Sequence, residues 1–531
     1  MTERIMDRKT DVLVIGGGAA GQMAALEAAQ SGSRVLIITD GGLASTGILG
    51  FCALVSDEDS EECFFRDTWE GGQETGDPRL VRTFVKGTTE AVKKLESIGL
   101  VFDKNEDGTY HLLQPLGCSV PRLVHAGNKT GIYSLDVLQK KLAEYGVEVL
   151  NRVCAYRIRV IDGCASGAWA FDKREKALVR IRAKAVVLAT GGGHLLKNST
   201  YPRNQYGDGY AMAYQAGAVL RDMEFCQHEP CRAIWPKPLG ISTTLLAKGG
   251  ILTNSLGERF VLKDYPTEGA APKDALAKII CREIKEGRGT EHGGVWLNLT
   301  GLPEDEIKVN HSLYYERFIR EGIDLTKECV EVAPAAHSMM GGVEVDTDCA
   351  AAVPGLFAAG EVMGGLHGAN RLGGNAGAEV YVFGSICGKS AAHYAGSIPG
   401  NDGLNDAPEV TIDSGSGCMT ERLQDVIDAV REKLGTALSP LREGWELREA
   451  LAFVEACSDS LEKMEKTDFE SAGLLFAAKN VCLLGKLMLV AALERKESRG
   501  VHGRVEFPES DDAFAHRSIR FSKANGTQFA R

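Results

Sequence analysis

The first residues able to do chemistry lie within the opening two dozen. Asp11-Val-Leu-Val-Ile15 is a short apolar run, Gly16-Gly-Gly18-Ala-Ala-Gly21 follows it, and a helix-like stretch begins at Gln22. This is G-x-G-x-x-G set between a strand and a helix. Gly16 permits the tight turn, Gly18 lets the backbone approach a pyrophosphate, and Gly21 lets the helix pack close to the strand. The helix N-terminus adds N–H groups and the positive end of its dipole. The chemistry implied is dinucleotide binding. An acid that would hold a ribose is expected near Thr39, but Asp40 comes one position late. The turn alone therefore leaves FAD and NAD both open.

Two later segments choose between them. Ala185-Val-Val-Leu-Ala-Thr190-Gly-Gly-Gly193 is a strand ending in a second glycine turn, and Gly355-Leu-Phe-Ala-Ala-Gly360-Glu361 is a third. Glu361 falls where a carboxylate can accept hydrogen bonds from ribityl hydroxyls. One cofactor touched by three separated strand ends suits the extended FAD molecule better than NAD.

These turns need a framework. At 531 residues the chain is too long for a single core. Glycines cluster beside short β-like runs such as Asp11–Ile15, Arg34–Thr39, Ala185–Ala189 and Gly355–Ala358, with alanine-rich helical stretches between them. That texture predicts an α/β fold with a parallel sheet. From about 240 to 335 the sequence turns charged and mixed, which marks an inserted domain. Beyond a Pro/Gly/Asp/Ser-rich linker at 399–416, Met419–Leu434, Trp445–Met464 and Ser471–Arg495 carry helical apolar spacing.

The net charge of −12 argues against a nucleic-acid partner and offers no polybasic face for a membrane. The charged start, Met1–Thr10, does not read as a secretory signal, and there is no uninterrupted apolar run of 18 residues. A cytoplasmic protein is expected, with peripheral attachment to a membrane through a partner left open. The fourteen cysteines include no C-x-x-C pair, so no metal site is expected in this chain.

Six further motifs carry a resemblance. They are Gly207-Asp-Gly209 with Ala211-Met-Ala-Tyr214, Asp222-Met-Glu-Phe225, Gly257-Glu-Arg-Phe260, His337-Ser-Met-Met-Gly-Gly342, His367-Gly-Ala-Asn-Arg371-Leu-Gly, and Arg495-Lys-Glu-Ser-Arg499-Gly. In this order the chain resembles the flavoprotein subunit family of fumarate reductase, succinate dehydrogenase and L-aspartate oxidase. The resemblance implies a Rossmann-like α/β FAD-binding domain in two parts (1–235 and 337–400), an inserted α+β capping domain (236–336) and a C-terminal helical domain (415–531). It implies hydride transfer between flavin N5 and a C–C bond, or in the oxidases a C–N bond, beside a carboxylate.

The cofactor contacts expected are Gly16, Gly18, Ala19, Ala20 and Gly21; Thr39 and Asp40; Ser45, Thr46, Gly47 and Gly50; Ala189, Thr190 and Gly191; Asp208; Glu361; and Arg371, Gly374, Asn375 and Ala376. Where the family's covalent attachment uses a His in a Ser-His-Thr segment, the matching stretch Leu43–Gly50 has Leu43 at the His position, so FAD is expected to be noncovalent.

At the substrate end His337 and Arg371 match positions that bind a carboxylate, and a guanidinium fork suits that task. The family's proton-delivering Arg is replaced by Lys273, which keeps the charge but not the fork. The family's Phe-His-Pro-Thr reads His228-Glu229-Pro230-Cys231, and its Thr-Glu pair aligns with Ser242-Thr243. An unpaired Glu229 in the pocket is expected to repel a second substrate carboxylate. The substrate expected is a small carboxylate other than plain succinate or fumarate: a monocarboxylate, a bulkier enoate, or one with an amino group. Electrons must cross to an iron–sulfur subunit or a soluble carrier, since the chain has no haem or iron–sulfur motif. An L-aspartate-oxidase-like activity and an electron-transfer flavoprotein with a degenerate substrate site remain as alternatives, with an adenylylsulfate-reductase-like flavoprotein weaker still.

Overall fold

A computed structural model describes residues 4–41, 43–115, 117–399, 411–412, 419–464 and 466–530. Most of the 399–416 linker lies outside them. Along the chain the strands that frame the site are β1 (Val12–Ile15), β2 (Val35–Thr39), β3 (Glu148–Asn151), β4 (Ala185–Leu188), β5 (Cys226–Trp235), β6 (Ile251–Thr253), β7 (Val295–Asn298), β8 (Val330–Met339) and β9 (Leu356–Ala358). The helices that matter are α1 (Ala19–Gln30), α2 (Asp208–Ala216), α3 (Lys273–Glu283), α4 (Asn375–Ser397), α5 (Met419–Ala437), α6 (Gly444–Glu462) and α7 (Phe469–Glu494).

Five strands form a parallel sheet in the order β9-β4-β1-β2-β3. β1 and β4 are buried along their whole length, as expected of parallel strands covered on both faces. Because β4 lies between β1 and β9, the three glycine turns read from the sequence stand side by side at one edge of the sheet. Helix α1 packs against α4 on this sheet. Its Ala-rich face lets the axes approach closely, and a Cβ at Gly388 would lie 2.2 Å from the carbonyl oxygen of Ala24.

The inserted segment has its own antiparallel sheet, β5-β8-β7-β6, and its own apolar core, made by residues between Cys231 and Val332. The long strands β5 and β8 run from this core back to the FAD-binding part. They carry Glu229 and His337 respectively. Helix α3 packs on β5, and its first residue is Lys273.

At the C-terminus α7 packs against both α5 and α6. By length and composition α7 can cross a membrane, yet two-thirds of its most apolar window is buried inside the fold, as in a core helix. Two of the sequence motifs meet here. Arg495 places Nε 2.5 Å from Glu224 and Nη1 3.0 Å from Glu497, all with fully buried side chains. A buried charge is tolerated when it is paired in this way.

Candidate active site

The cofactor cradle is made largely of backbone. Gly16 has φ +118°, and a Cβ there would meet the Ala189 carbonyl oxygen at 2.2 Å; at Gly21 it would meet the Gly16 carbonyl oxygen at 2.0 Å. The turn, the β4 end and α1 can therefore adjoin only with glycine at these two places. Helix α1 begins at Ala19 after Gly18 with no side-chain cap from Gly18, although the Ser45 hydroxyl accepts the Ala19 N–H at 3.0 Å. Helix α4 likewise begins at Asn375 after left-handed Gly374, with no side-chain cap.

Thr190 Oγ1 and Asn375 Oδ1 are buried without a hydrogen-bond partner among the described residues, and space opens beside Gly191. Two helix N-termini preceded by glycine, two orphaned polar atoms and glycine-lined space together fit an extended anionic cofactor.

Several predicted cofactor residues also have tasks within the protein. Asp40 pairs with Lys173 at 2.6 Å. Thr39 packs on Gly17 and accepts the Gly41 N–H. Thr46 donates to the Leu43 carbonyl in the short turn Ala44–Gly47, and Gly50 lies against Val124. Asp208 opens α2 and accepts from Asn480 of α7 at 2.8 Å; burial pushes its carboxyl up to about 6. Glu361 Oε1 takes the Tyr201 hydroxyl and, at 2.9 Å, the Met339 N–H. Burial raises Glu361 to about 7. Its Oε1 thus ties the end of β8 to the third glycine turn, a role not visible in sequence.

At the substrate end the structure brings Lys273, Glu229, His337, Thr243 and Arg371 into one electrostatic cluster. Lys273 Nζ donates to Glu229 Oε2 at 2.8 Å, with the carboxylate side chain only 12% exposed and the lysine 36%. The condition for repulsion, a buried and unpaired Glu229, is therefore not met: Lys273 neutralises its charge. Burial works against the charged carboxylate, but the Lys273 ammonium, helped by nearby Thr243, outweighs it and holds Glu229 below its usual range.

His337 Nδ1 lies 3.0 Å from the Thr200 hydroxyl, and burial pushes the imidazole down to about 4. It is neutral at physiological pH. Arg371 donates weakly to the Leu372 carbonyl at 3.4 Å, its Nε is buried without a partner, and no carboxylate pairs with it among the described residues. A guanidinium left open in this way is a receptor for an anion.

Ser242 and His228 have hydrogen bonds within the protein. The Ser242 hydroxyl pairs with Thr244, which pairs in turn with His311. His228 is buried on its own strand, bonded to the Cys226 carbonyl, and burial pushes it down to about 3.

Sequence reading missed Thr200, Tyr201 and Gln227. The amide of Gln227 donates to Asn370 Oδ1 and to the Arg371 carbonyl, both at 2.9 Å, and so fixes the loop that presents Arg371. Its position two residues before Glu229 on one strand was the available signal.

Residues 11–376 match the family model described as FAD binding domain, and residues 429–529 match the fumarate reductase flavoprotein C-term model. The chain belongs to this flavoprotein family. It is 34% identical over 537 residues to a fumarate reductase (CoM/CoB) subunit of Methanothermobacter marburgensis, covering 98% of each chain. It is 31% identical over 512 residues to the L-aspartate oxidase of Caulobacter vibrioides, covering 94% of each. Among solved structures, Mycobacterium smegmatis Sdh1 in complex with UQ1 superposes with TM-score 0.86 at 32% identity, covering 99% of this chain and 94% of that one.

The protein is therefore an FAD-dependent oxidoreductase of the fumarate reductase and succinate dehydrogenase type. The glycine-preceded helix ends and orphaned polar atoms at the strand ends are the features of this chain that suit the FAD of its family.

Proposed function

We propose that this flavoenzyme reduces a carbon–carbon double bond conjugated to a carboxylate, with the carboxylate seated on Arg371 and His337 and the proton delivered by Lys273. The observation that carries the reading is the open guanidinium of Arg371 beside a neutral His337 and a Lys273–Glu229 pair. Bound FAD supplies the hydride. Arg371 offers a planar fork to the carboxylate and favours the charge that builds on it as the double bond is reduced. Neutral His337, held through Nδ1 by the Thr200 hydroxyl, adds a hydrogen bond from its other ring nitrogen. Lys273 holds an ammonium proton at Nζ for the carbon next to the carboxylate, and Glu229 holds that ammonium in place.

Charge counting narrows the substrate. Arg371 and Lys273 are positive, Glu229 is negative and His337 is neutral, so the cluster carries one net positive charge. A substrate of net charge −1 balances it, whereas a C4 dicarboxylate leaves one negative charge over. Leu43, where the family's attaching His stands, supports noncovalent FAD.

The Methanothermobacter relative is named as one subunit of a fumarate reductase, which supports a separate partner that supplies electrons to a cytoplasmic flavoprotein. L-aspartate also has net charge −1, so the Caulobacter relative keeps an amino-acid oxidase as the second reading. The test is to reduce the purified protein anaerobically and add enoates or fumarate singly, following the return of the oxidised flavin spectrum, while L-aspartate is offered to the oxidised protein. Reoxidation by a monocarboxylic enoate supports the proposal; flavin reduction by L-aspartate alone supports the oxidase.

A further inference from the structure

The cluster contains one polar atom that this reading leaves unused. Glu229 Oε2 receives the Lys273 ammonium, but Oε1 is buried and has no hydrogen-bond partner among the described residues. The Thr243 hydroxyl is near enough to favour the charged carboxylate without reaching bonding geometry to Oε1. A buried charged oxygen without a donor is a standing cost, and such atoms mark places where a ligand or an ordered water completes the shell. Glu229 and Arg371 both act electrostatically on His337, which stands as the link between this oxygen and the proposed carboxylate anchor.

The kind of donor follows from charge. With Lys273 on Oε2, the Glu229–Lys273 pair is already neutral, and Arg371 is neutralised by the substrate carboxylate. An ammonium on Oε1 would add an uncompensated charge to a largely buried cluster. A hydroxyl or an amide N–H satisfies the oxygen and leaves the balance intact.

We propose that Glu229 Oε1 is a specificity subsite for a neutral hydrogen-bond donor, a hydroxyl or amide N–H, on the end of the enoate remote from its carboxylate. The inference rests on the reading of Arg371 as the carboxylate anchor. It gives the altered Glu229 position a positive role in choosing substrate, besides holding Lys273.

The test uses the FAD-loaded protein, reduced anaerobically and reoxidised by paired probes: but-2-enoate against 4-hydroxybut-2-enoate, pent-2-enoate against 5-hydroxypent-2-enoate, and 4-aminobut-2-enoate. In at least one pair the hydroxylated acid is expected to exceed its parent about tenfold in kcat/KM, the usual cost of leaving a substrate-binding polar group unmatched. The amino acid probe should fall below the hydroxylated one of the same length. Glu229→Gln keeps an acceptor oxygen and should keep the hydroxyl preference, while Glu229→Leu should abolish it.

Because the preference is a ratio within one protein, a variant with reduced flavin content still reports it, and the wild-type ratio stands alone. Equal rates within both pairs, or a preference that survives in Glu229→Leu, would overturn the subsite. Failure of every enoate to reoxidise the flavin would instead overturn the reading beneath it.

Discussion

The two ends of the site are built in different materials. The cofactor end is shaped by backbone: Gly16 and Gly21 sit where a single methyl group would collide with a carbonyl oxygen, and two helix N-termini are left uncapped by the glycine before them. The proposed substrate end is shaped by polar and charged side chains from β5, β8, α3 and the loop before α4. Backbone geometry shapes the first end, and side-chain pairings such as Lys273–Glu229 shape the second.

The largest effect is expected at the cofactor end. Gly16→Ala places a Cβ 2.2 Å from a carbonyl oxygen at a positive φ, and we expect purified protein with no bound flavin, read from its absorbance. At the substrate end Arg371→Ala should retain more flavin than Gly16→Ala while lowering kcat/KM for a responsive enoate, per bound flavin, by about 10³-fold, the order of magnitude for removing a charge-assisted fork from its anion. Equal loss of flavin in both variants would erase the distinction.

A smaller change probes the substrate end alone. Glu229→Gln raises the net charge of the cluster by one, so reoxidation by fumarate should improve relative to a monocarboxylate by about tenfold, as expected of one repulsive charge removed. An unchanged ratio in paired reoxidation rates would show that Glu229 does not select against the second carboxylate.

The smallest effect is on stability. Burial holds His337 down to about 4 in the folded protein, against an ordinary value of 6.5. Between those values the unfolded chain binds the proton and the folded one does not, so this contribution to stability is complete above pH 6.5 and is lost as pH falls toward 4. Urea midpoints at about pH 7 and about pH 5 should lie closer together for His337→Asn than for the wild type. An equal or wider gap in the variant would contradict the burial of a neutral imidazole.

The same contrast explains what could be read from the sequence. A glycine turn between strand and helix is local, so residues 11–21 declared a dinucleotide site, and the apolar runs declared the parallel sheet with ends within a residue or two of those observed. Glu229 and Lys273 are 44 positions apart, and their pairing depends on how α3 packs on β5. From the residue types alone, whether Glu229 is paired or repelling therefore stays open. Glu361 reads in sequence as an acceptor for ribityl hydroxyls; its bonds to Tyr201 and Met339 arise from the meeting of distant segments and are not legible there. Gln227, which holds the Arg371 loop, lies in a strand whose irregular pairing with β8 obscured its alternation.

Whether Lys273 delivers the proton is decided by the single-turnover rate at which an enoate reoxidises the reduced protein in wild type and in Lys273→Ala. With Lys273 as the donor, the limiting rate falls by about 10²-fold or more, within the usual range for losing a general acid, while the enoate concentration giving half that rate stays within a few-fold. An unchanged limiting rate in Lys273→Ala would contradict the assignment of Lys273 as proton donor.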